Sequence, residues 1–166
     1  MGKKKKFTHP RMLVADPDFK LCEIEEGHEF MPNGIFAFNI TRLIEHIESH
    51  PGDYLPIEID VAAYFDQRPN FELNEEYVER ADLERPLILA EIAPDRLEMG
   101  MRGAERDLYA RGYNLLDGHH RLAKARKHGI QMLPAYVLRM EQHLPFLARS
   151  YETYVEYWNG KLEEKW

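Results

Sequence analysis

The segment GYNLLDGHHRLAKARKHGIQMLPAYVLRM, residues 112–140, contains two apolar runs separated by a charged run that begins and ends at a glycine. The first run, GYNLL, and the last, MLPAYVLRM, predict strands. The residues between Gly118 and Gly129 predict a helix that begins after the first glycine and stops at the second. Pro134 suggests either a strand at a sheet edge or a proline near the strand start. This succession predicts a mixed fold of the α/β (α+β) class.

The rest of the chain predicts further elements of both kinds. RPLILAEIAP, residues 85–94, is a continuous apolar run between prolines, which is typical of a strand buried on both faces. NITRLIEHIESHPG, residues 39–52, predicts a helix with Asn39 as its N-cap and a stop at the Pro-Gly pair. Three weaker patterns predict a strand over 19–27, a half-buried strand over 54–65 whose end turns helical, and a short helix starting at Asn74.

The last part of the chain predicts a helix with a stripe of large apolar residues. Spacings of three and four place them on one face of that helix, and an Asn-Gly pair at 159 and 160 is expected to break it near its end. The stripe is either ordinary core or a homodimerisation face, because aromatic residues are enriched in interfaces. Its members are Leu144, Leu147, Tyr151, Tyr154, Trp158 and Leu162.

Length and charge restrict the organisation and the partners. With 166 residues the chain is expected to form one domain over 19–140, preceded by a flexible basic tail over 1–18 and followed by the C-terminal helix over 141–166. The formal charge of −7 argues against a protein that coats DNA. The single cysteine, Cys22, and the lack of a signal-peptide pattern predict a cytoplasmic protein without a membrane segment.

The turn DGHHR, residues 117–121, places basic side chains at the start of a helix, where added cations are unfavourable. The free N–H groups of a first helical turn form an anion site. Gly118 would let a ligand approach the backbone closely, and the Arg121 guanidinium suits a phosphate. We therefore expect Gly118, His119, His120 and Arg121 to bind a phosphate group. Asp117 would either cap the helix or hold a histidine or a metal ion.

A purely structural alternative is about as plausible from these residues alone. Asp117 would then be a helix cap, and the two histidines would be surface residues. The basic residues at 124–128 lie near the C-terminus of the predicted helix, where positive charge is stabilising, and are interpreted as structural. Neighbouring histidines project about 100° apart on a helix, so His119 and His120 are not expected to chelate one metal ion. No protein metal site is predicted.

The sequence of residues 85–139 resembles that of the ParB/sulfiredoxin superfamily, most closely in LLDGHHRLAKARKHGIQMLPAYVL. The resemblance implies a ParB-like fold with a small mixed sheet and flanking helices. ParB partition proteins in this superfamily bind and hydrolyse CTP, but they carry a DNA-binding domain for which the 26 residues after Met140 are too few. Sulfiredoxins use a cysteine where this chain has His119. The Asp-Gly-His-His-Arg turn is most similar to that of the free-serine kinases.

The kinase resemblance implies a nucleotide such as ATP, ADP or CTP, with Mg²⁺, and transfer of a phosphoryl group. Such a reaction needs a carboxylate near the transferred group. Asp117 is one candidate. Glu91 is the other, because an acid at the end of a buried strand is costly unless it has a partner or a role, although it could equally lie solvated in the turn before Pro94. His119 is the third candidate for a catalytic role.

Three functional hypotheses remain open from the sequence. The first is a phosphotransferase or nucleotide hydrolase, and the second is a non-catalytic module that responds to a nucleotide. The third is a ParB-like nuclease, which would need a carboxylate cluster with metal and a basic groove, neither of which is evident. Residues 1–83 contain no motif that indicates chemistry and are expected to complete the core and wall one side of the pocket.

Overall fold

The computed structural model describes residues 8–33, 36–61, 75–100 and 107–164, which form two small sheets with flanking helices. The chain has a mixed α/β fold. Within the described ranges no helix has the length and apolar composition needed to cross a membrane. The strands are β1 (Phe30–Asn33), β2 (Phe36–Asn39), β3 (Ile57–Asp60), β4 (Leu87–Glu91), β5 (Tyr113–Asp117), β6 (Met132–Leu138) and β7 (Leu147–Arg149).

The helices of the described residues lie between these strands and at the C-terminal end. A short 3₁₀ turn, Leu144–Phe146, precedes β7. The α-helices are α1 (Ile40–Ser49), α2 (Glu75–Arg80), α3 (Leu108–Arg111), α4 (His119–Lys127), α5 (Met140–His143) and α6 (Tyr151–Glu164).

The larger sheet has the strand order β3-β6-β4-β5 and is buried on both faces at its centre. β4 runs parallel to β6 and antiparallel to β5. All five residues of β4 are buried, as its apolar run predicts. Because side chains alternate along a strand, Ile88 and Ala90 face one hydrophobic core while Leu87 and Leu89 face another, which α4 covers.

The smaller sheet has the order β1-β2-β7 and packs with α1 and α6 around the first of these cores. Asn39 caps α1 as predicted, because its side chain accepts a hydrogen bond from the Arg42 N–H at 3.0 Å. The aromatic residues Tyr151, Tyr154 and Trp158 of α6 are buried in this core. A homodimer through these side chains would therefore require α6 to leave its own domain.

Several sequence-based expectations differ from the structure. Residues 19–27 form no strand, although the Cys22 N–H donates to the Leu147 carbonyl at 2.9 Å. β6 is an interior strand, and Pro134 is tolerated because it precedes Ala135, where pairing with β4 begins. The end of the strand expected over 54–65 and the start of the helix expected at Asn74 lie outside the described residues. The first seven residues of the expected flexible tail lie outside them as well.

The N-terminal segment 8–18 packs against the domain, in contrast to the tail expected there. Met12 and Leu13 contact the first core. Asn159 of α6 accepts a hydrogen bond from the Leu13 N–H and donates one to the Leu13 carbonyl, both at 2.8 Å. α6 continues through the Asn-Gly pair, which was expected to break it, because Asn159 uses its side chain to hold this segment.

Candidate functional site

Gly118 connects β5 to α4 in a left-handed conformation with φ of +111°. Side chains other than glycine rarely adopt this conformation. A Cβ atom at this position would lie only 2.4 Å from Cδ2 of Leu87, which is buried in β4. The glycine is therefore required by the local backbone and by packing, whereas the sequence suggested that it admits a ligand.

The guanidinium of Arg121 makes its hydrogen bonds within the protein. Its Nη2 donates to Oδ2 of Asp117 at 2.8 Å, and its Nη1 donates to the carbonyls of Arg85 and Pro86 at 3.0 and 2.7 Å. The side chain is only 8% exposed. Three internal acceptors thus occupy its guanidinium, and its expected role as one of the phosphate ligands stays a prediction.

Asp117 does not cap α4, because the structure gives this helix no side-chain cap. Its carboxylate lies beside Arg121, and its side chain is 22% exposed. The Asp117–Arg121 pair instead fixes the end of β5 against the segment before β4. The first turn of α4 thus has no side-chain cap at its N-cap residue, Gly118.

The turn forms one wall of a cavity of about 1030 Å³, which we call the first cavity. Pockets of this order accommodate small organic ligands. The opposite walls come from β1 with the residues before it, and from α2 with the loop that follows it. The lining residues include His28, Glu29, Phe30, Met31, Ile40, Tyr77, Arg80, Asp82, Arg85, Asp117, Gly118, His119, His120 and Arg121.

Arg85 is the cation of the first cavity that is best placed to meet a ligand. Its side chain is exposed, and the described part of the chain gives it no ion-pair partner. Arg80, by comparison, pairs with Glu76 one turn earlier in α2. Arg85 was not among the site residues indicated by the sequence, although it lies two residues before β4.

Aromatic groups line the side of the first cavity that faces the turn. The rings of Tyr77 and His120 meet edge to face, with centroids 6.1 Å apart. Tyr77 and Phe30 are each more than half exposed although both are large, with exposed fractions of 57% and 55%. Exposed aromatic surface of this kind, beside polar groups, is typical of ligand sites.

Glu91 does not belong to this cavity. In the sheet register Asp117 lies opposite Ile88, whereas Glu91 lies opposite Tyr113, about 10 Å further along β4. Glu91 is completely buried, and its carboxylate binds Arg11 through two hydrogen bonds of 2.7 and 2.8 Å. An internal ion pair therefore explains why an acid is buried at the end of β4. Glu91 is not assigned to proton transfer on a substrate that contacts Asp117.

The Glu91 carboxylate belongs to a larger charge network on the far side of the molecule. Burial by itself raises the pKa of the nearby Asp95, but hydrogen bonds from Arg111, the Leu97 N–H and the Tyr113 hydroxyl, together with the Arg111 charge, lower it below its ordinary value. Burial, together with the charges of Glu91 and Asp95, raises the pKa of Tyr113 well above its usual range. We interpret this network as structural, because its charges compensate one another.

Metal-binding residues do not gather into a site of three or more donors among the described residues. One pair of histidines at the C-terminal end of α1, His46 and His50, has the i, i+4 spacing of many metal ligands, and it was overlooked in the sequence. Their rings stack at 4.2 Å with a tilt of 31°. His46 Nε2 contacts the Tyr54 hydroxyl at 3.0 Å. His50 Nδ1 donates to the His46 carbonyl at 2.8 Å, so both rings have hydrogen-bond partners within the protein.

Comparison of the chain with known protein families, with curated proteins and with solved structures finds no match. Membership of the ParB/sulfiredoxin superfamily therefore remains a prediction from the sequence of residues 85–139. What the structure adds is the geometry of the Gly118 turn and of the cavity beside it.

Proposed function

We propose that the chain binds a nucleotide or another phosphorylated small molecule in the first cavity, with its phosphate against the Gly118 turn. The observation that carries this proposal is the first turn of α4, which lacks a side-chain cap and forms part of the cavity wall. Backbone N–H groups at such a position favour an anion both by hydrogen bonding and by the helix dipole.

Side-chain contacts to the phosphate are assigned to Arg85, His119 and His120, in place of Arg121. Arg85 supplies a permanent positive charge at the mouth of the cavity, and the histidines supply ring N–H donors. Arg121 acts indirectly, because its hydrogen bonds to Asp117 and to the residues before β4 hold the turn in position.

The remaining surface of the first cavity fits the organic part of a nucleotide. Tyr77 and Phe30 present aromatic surface on which a base can stack, and Met31 adds an apolar contact. ATP, ADP and CTP, each with Mg²⁺, are the ligands to test. A cytoplasmic protein, in keeping with its single free cysteine, would encounter all three.

Phosphoryl transfer or nucleotide hydrolysis is the second part of the proposal. Asp117 is the carboxylate assigned to it, because it adjoins the turn and is partly exposed. A non-catalytic nucleotide-binding module is the alternative. The ion pair of Asp117 with Arg121 favours the non-catalytic module, since that pair gives the carboxylate a structural role.

The binding step is tested by the thermal unfolding temperature with each nucleotide, with and without Mg²⁺. A ligand at one hundred times its Kd stabilises by about 2.7 kcal/mol, which raises the Tm of a chain of this size by roughly 5–10 °C. Arg85→Gln should reduce this rise, whereas Arg149→Gln, at an exposed arginine on β7, should not.

Three outcomes distinguish the hypotheses. If no nucleotide raises the Tm, or if Arg85→Gln leaves the rise unchanged, the assignment of the phosphate site is wrong. Saturable release of inorganic phosphate by the wild type, lost in Arg85→Gln and kept in Arg149→Gln, identifies an enzyme. Binding without turnover identifies the module.

A further inference from the structure

A second cavity of about 630 Å³ lies on another part of the surface, beside α6. The segment after β4 and the first residues of β5 form one side of it, and the outer face of α6 forms the other. Its volume falls within the range of small-molecule sites. The residues that carry the argument are Arg96, Gly112, Asn114, Tyr157 and Lys161.

Two cations, Arg96 and Lys161, and one carboxylate, Glu164, line the second cavity. Arg96 is exposed, and no carboxylate among the described residues pairs with it. Lys161 pairs at 3.0 Å with Glu164, whose side chain is 65% exposed. Exposed pairs of this kind contribute little, so an incoming anion can compete for the ammonium group. This positive surface is notable on a chain whose formal charge is −7.

Asn114 supplies a polar group in the wall of the second cavity. Asparagine is depleted in strands, yet Asn114 lies within β5, where both of its neighbours in the chain are buried. Its side chain is partly exposed, and no hydrogen-bond partner for its amide is found among the described residues. An amide in this setting can donate to one ligand atom and accept from another.

The backbone around the second cavity is fixed in place. Gly112 has φ of +114°, and a Cβ atom there would lie 2.6 Å from the Ala93 carbonyl oxygen. The Gly112 carbonyl accepts hydrogen bonds from Ile92 and Ala93 at 3.0 and 3.2 Å. The Arg96 N–H donates to the Arg111 carbonyl at 3.1 Å. A wall held in this way needs little ordering when a ligand binds.

We propose that the second cavity is a binding site for a small organic carboxylate with a flat apolar body. The carboxylate binds Arg96 and Lys161, because ionised partners form the stronger hydrogen bonds. The flat body packs against the ring of Tyr157, which the Phe36 ring already holds by an edge contact with centroids 5.4 Å apart. Asn114 contacts the polar edge of the ligand. This site is separate from the first cavity and does not depend on its function.

Benzoate is the probe that tests this site, and benzamide is its uncharged counterpart of the same shape. Amide chemical shifts of the full ¹⁵N-labelled chain are followed as each compound is added. We expect saturable shifts of Gly112, Asn114 and Lys161 with benzoate. Benzamide should bind about tenfold more weakly or worse, since it lacks the charge-assisted hydrogen bonds.

Arg96→Gln and Lys161→Gln should each weaken benzoate binding by about tenfold, whereas the matched variant Arg149→Gln should not change it. Unfolding curves confirm that each variant is folded, and the three side chains are surface residues or partly exposed. The proposal is overturned if benzoate gives no saturable shifts up to its solubility limit, if Arg96→Gln binds it as the wild type does, or if its shifts lie at 118–121. The nucleotide experiment above does not affect any of these outcomes.

Discussion

Gly118 shows how one residue determines the geometry of the candidate site. Its positive φ sets the direction in which α4 leaves β5, and the absence of a Cβ atom allows Leu87 to pack directly beneath the turn. Gly160, by contrast, lies inside α6, and a Cβ atom added there would meet no neighbouring atom within 4 Å. The two glycines therefore have opposite energetic roles.

Gly118→Ala should lower the free energy of unfolding by about 1–3 kcal/mol, because alanine must adopt a strained φ and displace the Leu87 side chain. Gly160→Ala should raise it by about 0.5–1 kcal/mol, since alanine is the better helix former. Urea unfolding of the two variants and the wild type measures both changes. Equal effects of the two substitutions would contradict the structural role assigned to Gly118.

The sequence correctly indicated a turn at Gly118, but it could not indicate what Arg121 binds. Patterns along the chain place a cation at the helix start, whereas its acceptors at Arg85 and Pro86 come from the segment before another strand, 36 and 35 residues away. The same limit applies to Arg85, whose relation to the cavity depends on the pairing of β4 with β5. Local patterns predict elements, and tertiary contacts decide which side chains remain available.

Among the elements, segment 8–18 is held to β4 and α5 by ion pairs and to α6 by hydrogen bonds. Arg11 binds the buried Glu91 and also the carboxylate of Glu141. Burial by itself lowers the pKa of Arg11, but its hydrogen bonds to these two carboxylates raise it above the ordinary value. The Trp158 indole N–H donates to the Arg11 carbonyl at 2.8 Å.

Arg11→Gln should lower the free energy of unfolding by about 3 kcal/mol, because it leaves a completely buried carboxylate without its main partner. Arg42→Gln is the matched control. Arg42 pairs only with exposed Glu25 and Glu45 among the described residues, so its loss should cost less than about 1 kcal/mol. If urea unfolding shows equal losses for the two variants, the ion pair of Arg11 with Glu91 does not hold the segment.

The types of the helices and strands were predicted more accurately than the tertiary contacts that they make. The apolar run of β4 and the capped helix α1 follow from local sequence, and both are confirmed. The extension of α6 through Asn159 and Gly160 could not be predicted, because the partner of Asn159 is the backbone of Leu13, 146 residues earlier. Segment 8–18 likewise gives no local signal, since its order comes from contacts with distant residues.

At the scale of the whole molecule, a histidine in the core links stability to pH. His143 is completely buried, and its Nε2–H donates to the Glu91 carbonyl at 2.6 Å. Its Nδ1 has no hydrogen-bond partner among the described residues. Burial lowers the pKa of His143 from its ordinary value of 6.5 to about 4. The ring is therefore neutral in the folded protein, whereas the unfolded chain binds a proton below 6.5.

Because the unfolded state takes up this proton first, His143 should lower the free energy of unfolding by about 3 kcal/mol as pH decreases from 6.5 to about 4. Glu141 and Asp95, whose pKa values are lowered from 4.5 and 3.8, add further losses of stability as pH falls through and below those values. His143→Gln keeps a donor for Glu91 but does not titrate. Urea unfolding across this range should show a shallower pH dependence for His143→Gln, and parallel curves would contradict a neutral buried histidine.

The most direct test of the proposed function is the position at which a nucleotide contacts the chain. Amide chemical shifts of the ¹⁵N-labelled protein are measured with ADP and Mg²⁺, and adenosine serves as the control without phosphate. We predict saturable binding of ADP whose largest shifts lie at residues 118–121, with Arg85 also affected and with little response there to adenosine. Saturable binding with its largest shifts elsewhere, or the same shifts with adenosine, would contradict a phosphate site at the Gly118 turn.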